Sequence, residues 1–284
     1  MRSGASTAIA LCCLCGVLTQ AAAQNLSTYG TPGLIDMPTA EVLNDGELAV
    51  TISNFGNTNR NTLTFQAFPW VYGSFRYSIH DDLFGPGNNN YDRSFDLHFQ
   101  LAQETETRPA IAVGLRDFGG TGIYSSEYLV LTKTFADRFA VTGGMGWGRL
   151  AGRNSFSNPL GIFGDSFKTR PDTDFGNGGK VNYGQWFRGD AALFGGVKWD
   201  VNERLSLLAE YSSDMYELES DSGAIVINSP FNFGLNYKFD NGIGLNAYYV
   251  YGSEVGLQFS YILDPRKRPT HPWQDTAAPA LVPM

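Results

Sequence analysis

Apolar and polar side chains alternate with a period of two through most of this chain, in about twelve short runs. Between Tyr91 and Leu101, Phe95, Leu97, Phe99 and Leu101 fall on one side of an extended backbone. Ser94, Asp96, His98 and Gln100 fall on the other, because successive strand side chains point to opposite faces. The runs read as strands over Glu47–Asn54, Asn61–Phe68, Val71–Ile79, Asp92–Ala102, Pro109–Phe118, Glu127–Phe135, Arg138–Leu150, Arg188–Val201, Arg204–Asp214, Pro230–Phe239, Gly242–Tyr251 and Glu254–Leu263. At roughly 8–13 residues each is long enough to cross a bilayer at a tilt. The connections alternate too. Pro69-Trp70, Ala136-Asp137, Asn202-Glu203 and Asp240-Asn241-Gly242 are short, and Asn-Gly is a strong hairpin signal. His80–Tyr91, Gly119–Ser126, Ala151–Phe187 and Met215–Ser229 are long, with Gly252-Ser253 the exception. Short turns at one end and long loops at the other mark outer-membrane barrels. The predicted fold is all-β, a closed antiparallel up-and-down transmembrane β-barrel over residues 47–264. It has about twelve strands, an apolar face to lipid and both termini in the periplasm.

The ends of the chain add a route and a plug. Residues 1–23 read as a secretory signal peptide, with Arg2, an apolar run from Ala8 to Leu18, and Ala21-Ala22-Ala23 before the cleavage point. All three cysteines lie inside it; Leu11, Cys12 and Leu14 precede them, so plain cleavage is expected over lipidation. Residues 24–46 form a short N-terminal segment able to enter the lumen as a plug or to cover the periplasmic mouth. In it, Pro32-Gly33 predicts a type II turn, and Asp36 predicts a cap on a short helix from Pro38 to Leu43 that ends at Asn44-Asp45-Gly46. The proline-rich tail 265–284 reads as extended and periplasmic. In the loop Ala151–Phe187, Phe156, Phe163, Phe167, Phe175 and Trp186 argue for an ordered constriction or cap, since disordered segments are poor in aromatics.

Composition narrows the class. After Ala23 no stretch approaches the roughly 18–20 apolar residues of a membrane helix. The mean hydropathy is slightly negative, because alternation hides the apolar band of a membrane barrel. A formal net charge of −8 argues against nucleic acid as a partner.

One motif carries a resemblance. The run from Tyr29 to Ala40, Y-G-T-P-G-L-I-D-M-P-T-A, followed by Asp45-Gly-Glu-Leu48, resembles the start of YjbH/GfcD-type proteins. These are outer-membrane proteins linked to exopolysaccharide and group 4 capsule production. The marking residues are Tyr29, Gly30, Pro32, Gly33, Asp36, Pro38 and Gly46. The resemblance implies a single-barrel short form that takes part in exopolysaccharide or capsule export or assembly. The longer members carry a second barrel, and some are lipoproteins.

Candidate lumen residues for polysaccharide contact are Arg76, Arg93, Asp96, His98, Arg116, Lys198, Glu210, Asn232, Asn236, Lys238, Glu254 and Gln258, with Asn246 beside them. Such groups bond sugar hydroxyls, and they equally bond one another across a narrow lumen. Ser94, Asp96 and His98 share a face, but neighbours there sit roughly 6.5–7 Å apart, too far for a catalytic triad. Tyr and Trp near strand ends, from Trp70, Tyr72 and Tyr77 through Trp147 and Trp199 to Tyr237, Tyr248, Tyr249 and Tyr251, fit interfacial girdles. No residue set has metal-ligand spacing, and no cofactor motif is present. The expectation is a monomeric, non-catalytic barrel whose partners are outer-membrane lipid, polysaccharide and periplasmic export components. A general small-solute channel and a barrel enzyme acting on lipids stay open as alternatives.

Overall fold

The computed structural model describes residues 24–85, 87–172 and 181–267. The expected signal peptide, residues 173–180 with Phe175, and the tail from 268 onward lie outside the described residues. Twelve antiparallel strands close on themselves. They are β1 (Leu48–Phe55), β2 (Thr58–Phe68), β3 (Val71–Asp81), β4 (Asn89–Ala102), β5 (Ala110–Arg116), β6 (Ser126–Phe135), β7 (Phe139–Gly148), β8 (Ala191–Asp200), β9 (Leu205–Tyr211), β10 (Phe231–Lys238), β11 (Ile243–Val250) and β12 (Glu254–Leu263). Each pairs with its sequence neighbours, and β1 closes the cylinder against β12 from Leu48↔Leu263 to Phe55↔Gly256. Every strand therefore has both edges hydrogen-bonded, the condition for backbone to cross hydrocarbon.

The period-two pattern sorts the side chains as expected. Phe65, Phe95, Leu193, Phe233 and Leu257 stand exposed on the outer wall. Thr64, Arg76, Ser94, His98, Glu210 and Gln258 are buried inside. Three of the girdle aromatics belong to the inside, Tyr72, Tyr248 and Tyr251; Trp147 shares the outer face of β7 with Val141 but is buried beneath Phe187 of the following loop, whereas Trp70, Trp199 and Tyr249 are exposed. Parity decides it, since Tyr72 shares a face with Ser74 and Arg76, and Tyr248 shares one with Asn246. The same rule corrects Arg93. It lies on the outer face of β4 beside Tyr91 and Phe95, with its guanidinium 5.7 Å from the Tyr77 ring.

Five connections (69–70, 103–109, 136–138, 201–204 and 239–242) lie at the end where β1 begins and β12 stops. At the opposite end the β1–β2 turn shrinks to Gly56-Asn57, because β2 starts three residues earlier than its apolar pattern suggests. The long loop between β7 and β8 is ordered over its described residues. Three-residue and four-residue 3-10 turns punctuate it. The Arg170 guanidinium ties it to the rim by donating to the Glu127 carboxylate at 2.7 and 3.1 Å. A five-residue helix, α1 (Glu217–Asp221), follows β9.

Candidate functional site

Residues 25–40 are buried throughout, and what buries them is the inner face of the barrel. The segment holds no helix. Leu26 bridges to Pro32 and Gly33 to Pro38, which folds the motif into a tight double loop. The expected helix from Pro38 to Leu43 is absent because its backbone donors go to the wall. Ala40 N–H donates to Thr132 Oγ1 at 2.9 Å and Leu43 N–H to Gln66 Oε1 at 2.9 Å. The expected positive φ at Gly33 belongs instead to Gly30, at 76°. That turn carries Tyr29 into the middle of the lumen. A Cβ at Gly30 would run into Thr51 and Thr62. Gly30→Ala is therefore expected to weaken the seating by about 2–4 kcal/mol, from left-handed strain and overpacking together. The measure is protease protection of residues 24–46 in the folded barrel; unchanged protection would refute this placement.

The walls meet the segment from almost every side. Glu210 of β9 accepts three successive backbone N–H groups, from Ile35 at 2.8 Å, Asp36 at 2.9 Å and Met37 at 3.1 Å. Asn232 holds that carboxylate with a further bond of 2.9 Å. Gln258 and Asn246 donate to the Leu26 carbonyl at 2.8 and 3.1 Å. Gln100 donates to the Ala40 carbonyl at 2.8 Å, and Thr64 to that of Gly30 at 2.8 Å. Arg116 donates to the Asp36 carbonyl at 2.8 Å. A buried segment without regular structure needs such partners for its backbone.

Charge and aromatics concentrate around Tyr29. Guanidiniums of Arg116, Arg60 and Arg76 lie 4.0, 4.1 and 4.7 Å from its ring centroid. Each cation–π contact out of water contributes about 1–2 kcal/mol. Asp96 neutralises Arg76 at 2.7 Å and also accepts from Ser74 and from the Asp117 N–H. Asp36 lies 3.9 Å from Arg60, and both are fully buried. The Asp36 carboxylate accepts from Thr28 at 2.5 Å, Tyr216 at 2.8 Å and Tyr251 at 2.5 Å. Burial, and then the Asp36 charge, push both phenols above their ordinary range, so they stay protonated as donors. Above them Arg149 stands 4.7 and 4.5 Å from the Tyr124 and Tyr216 rings. Burial works against its charge, but Asp214 and Glu219, each at 2.7 Å, outweigh that and hold its pKa above the ordinary value.

Most of the sequence-predicted lumen residues thus meet one another or the segment. Lys198 joins in through Glu41 at 3.5 Å. Glu254 faces inward at the rim beside Gly56. Asn236 and Lys238 line a separate cleft. Ser94, Asp96 and His98 do not engage one another. Ser94 donates to Asp92, and His98 stacks on Tyr72 at 4.5 Å and shares a hydrogen bond with Tyr128. Among the described residues no group of three or more His, Cys, Asp or Glu is placed to hold a metal. Sequence reasoning missed Arg60, which alternates with Thr58, Thr62 and Thr64 on the polar face of β2 but precedes the first apolar residue there. Tyr124 and Tyr216 sit in loops, where no periodicity marks them, and Arg149 lies just past β7, which ends at Gly148 and not at Leu150 as its pattern suggests.

The family model described as exopolysaccharide biosynthesis protein matches residues 25–284. An uncharacterized lipoprotein, YjbH of Escherichia coli (strain K12), is 32% identical over 235 residues, which is 80% of this chain and 33% of the relative. The chain thus spans about a third of the length of the curated relative it matches. Among solved structures, the KdgM porin aligns over 76% of this chain and 97% of its own at 8% identity and a TM-score of 0.41. The outer-membrane phospholipase A of Escherichia coli aligns over 77% and 91% at 10% identity and 0.31. These two likenesses concern the barrel form only. On the family match and the shared sequence, the chain belongs to the YjbH family of exopolysaccharide biosynthesis proteins.

Proposed function

We propose that this protein is an outer-membrane barrel that takes part in exopolysaccharide export or assembly without catalysis, its N-terminal segment acting as the plug of the lumen. One observation carries the reading. The motif that marks the family, Tyr29 to Pro38, is spent on seating that segment against the lumen wall. The segment is held by hydrogen bonds and ion pairs, which water can replace when it leaves, and by apolar packing of Leu34 and Ile35 on Leu208 and Phe55 and of Met37 and Ala40 on Val130 and Phe194, which opposes its release. The apolar outer wall fits lipid contact, and the short turns fit the periplasmic side with both termini there. Polysaccharide and periplasmic export components are the proposed partners, and a monomer is the proposed state. Polar lumen groups such as Arg76, Glu210 and Asn232 would meet a passing polymer once the segment moves.

Deleting the gene is expected to reduce secreted and surface polysaccharide severalfold, with rescue by the full-length copy and not by a copy lacking Leu26–Asp45. Quantifying polymer in the three strains checks this. Unchanged polymer on deletion would sink the export reading.

A further inference from the structure

A cleft of about 180 Å³ opens beside the N-terminal segment at the short-turn end of the barrel. Leu26, Ile243 and Ile262 supply apolar wall, and Asn236, Lys238 and Ser260 supply polar groups. Lys238 brings a donor that the described residues leave without an acceptor. Its Nζ is buried with no hydrogen-bond partner, and the Asn236 Oδ1 beside it has none either. The charged groups facing Lys238 are Lys198, Glu41 and Asp200. Lys198 takes both carboxylates, at 3.5 and 3.7 Å, and Ser206 holds the second oxygen of Asp200 at 2.6 Å. Glu47, the acid of the cleft itself, is bonded to Asn44 through both carboxylate oxygens, at 3.0 and 2.8 Å.

A buried ammonium without a partner is costly, and an arriving anion removes that cost. Lys198 and Lys238 together balance Glu41 and Asp200, so what Lys238 lacks is an acceptor rather than a net countercharge; a carboxylate supplies one with a single added charge, whereas a phosphate dianion would add two out of water. Ser260 and the free Asn236 oxygen suit ring hydroxyls, while Leu26, Ile243 and Ile262 suit the C–H face of a sugar ring. We propose that this cleft binds a uronic acid unit of an acidic polysaccharide, with the sugar carboxylate on Lys238 Nζ. The inference rests on the exopolysaccharide reading and names the chemistry of the polymer.

Calorimetric titration of the full-length protein in detergent micelles with D-glucuronate, D-glucose and inorganic phosphate tests it. Glucuronate is expected to bind at least about tenfold more tightly than glucose, the worth of one charge-assisted bond, and more tightly than phosphate. Lys238→Gln should erase that preference, and Lys238→Arg should keep most of it. The inference is overturned if glucose or phosphate matches glucuronate, or if Lys238→Gln leaves glucuronate binding unchanged. The comparison of ligands on the native protein stands even where a variant fails to fold. Polymer that persists on gene deletion while glucuronate still binds removes the export reading and leaves the site. Polymer lost on deletion with no preference for glucuronate removes only the site.

Discussion

Asp36→Ala is expected to turn a sealed barrel into one that opens spontaneously, seen as frequent conductance steps in a planar bilayer where the native protein is quiet. Asp36 is where the segment, the strand wall and the loops at the end opposite the short turns meet. Its carboxylate accepts from Thr28 of the segment and from Tyr216 and Tyr251 of two different loops. It also lies 3.9 Å from Arg60, whose other partners are neutral: the hydroxyls of Thr28, Tyr124 and Tyr216 and the rings of Tyr29, Phe55 and Tyr124. Removing the acid strands a buried cation and three hydroxyl donors at once. Loss of one partner of a buried pair costs about 3–5 kcal/mol, which lowers the seated-to-unseated ratio by about 10²- to 10³-fold or more. Tyr216→Phe and Tyr251→Phe each delete one hydrogen bond, about 1 kcal/mol, so each should raise the open fraction only about fivefold. Asp36→Asn should fall between, since it keeps an acceptor and loses the charge. A quiet Asp36→Ala barrel that is otherwise folded would show that this network does not hold the segment.

The wall of the barrel was legible in the sequence and its contents were not, for a physical reason. A strand advertises itself by parity: Phe95, Leu97 and Phe99 must face lipid if Asp96 and His98 face inward, and the closed cylinder follows from even strand number and alternating loop length. Strand ends are less visible. Thr58, Asn59 and Arg60 carry no apolar residue, so β2 seemed to begin at Asn61 and its arginine went unseen. The segment 25–40 lies furthest from any local rule. Proline before Thr39 and aspartate before Met37 are good helix-start chemistry, yet tertiary partners take the backbone donors. Propensity is a weak prior where a wall of side chains offers better bonds. The polar lumen residues were also found for a reason that holds without sugar: a narrow barrel must satisfy its interior, and here Glu210, Arg116 and Gln258 do so on the segment itself.

Removal of Leu26–Asp45 is expected to give a folded barrel with steady conductance. The wall does not depend on the segment, because all twelve strands are paired on both edges and β1 begins only at Leu48. The polar inward groups that lose their partners meet water, while Leu208, Val130 and Phe194, which pack on the segment, are left exposed in the lumen. Glu210, Arg60 and Arg116 exchange protein bonds for hydration, so the barrel is spared the cost of stranded buried charges. What the deletion removes is the main described occupant of the lumen interior, from Leu26 near the short-turn end to Tyr29 beneath the loops of the opposite end. The measurement is single-molecule conductance, with heat-modifiable gel mobility to establish that the variant folds. A folded variant that stays silent would move the seal outward. Arg149, clamped by Asp214 and Glu219 over the Tyr124 and Tyr216 rings, would then close the mouth by itself. In that case Asp36→Ala should stay quiet as well, and Arg149→Ala should be the substitution that opens the barrel. The two silent results together would make the N-terminal segment a filler and the arginine-pinned loops the gate.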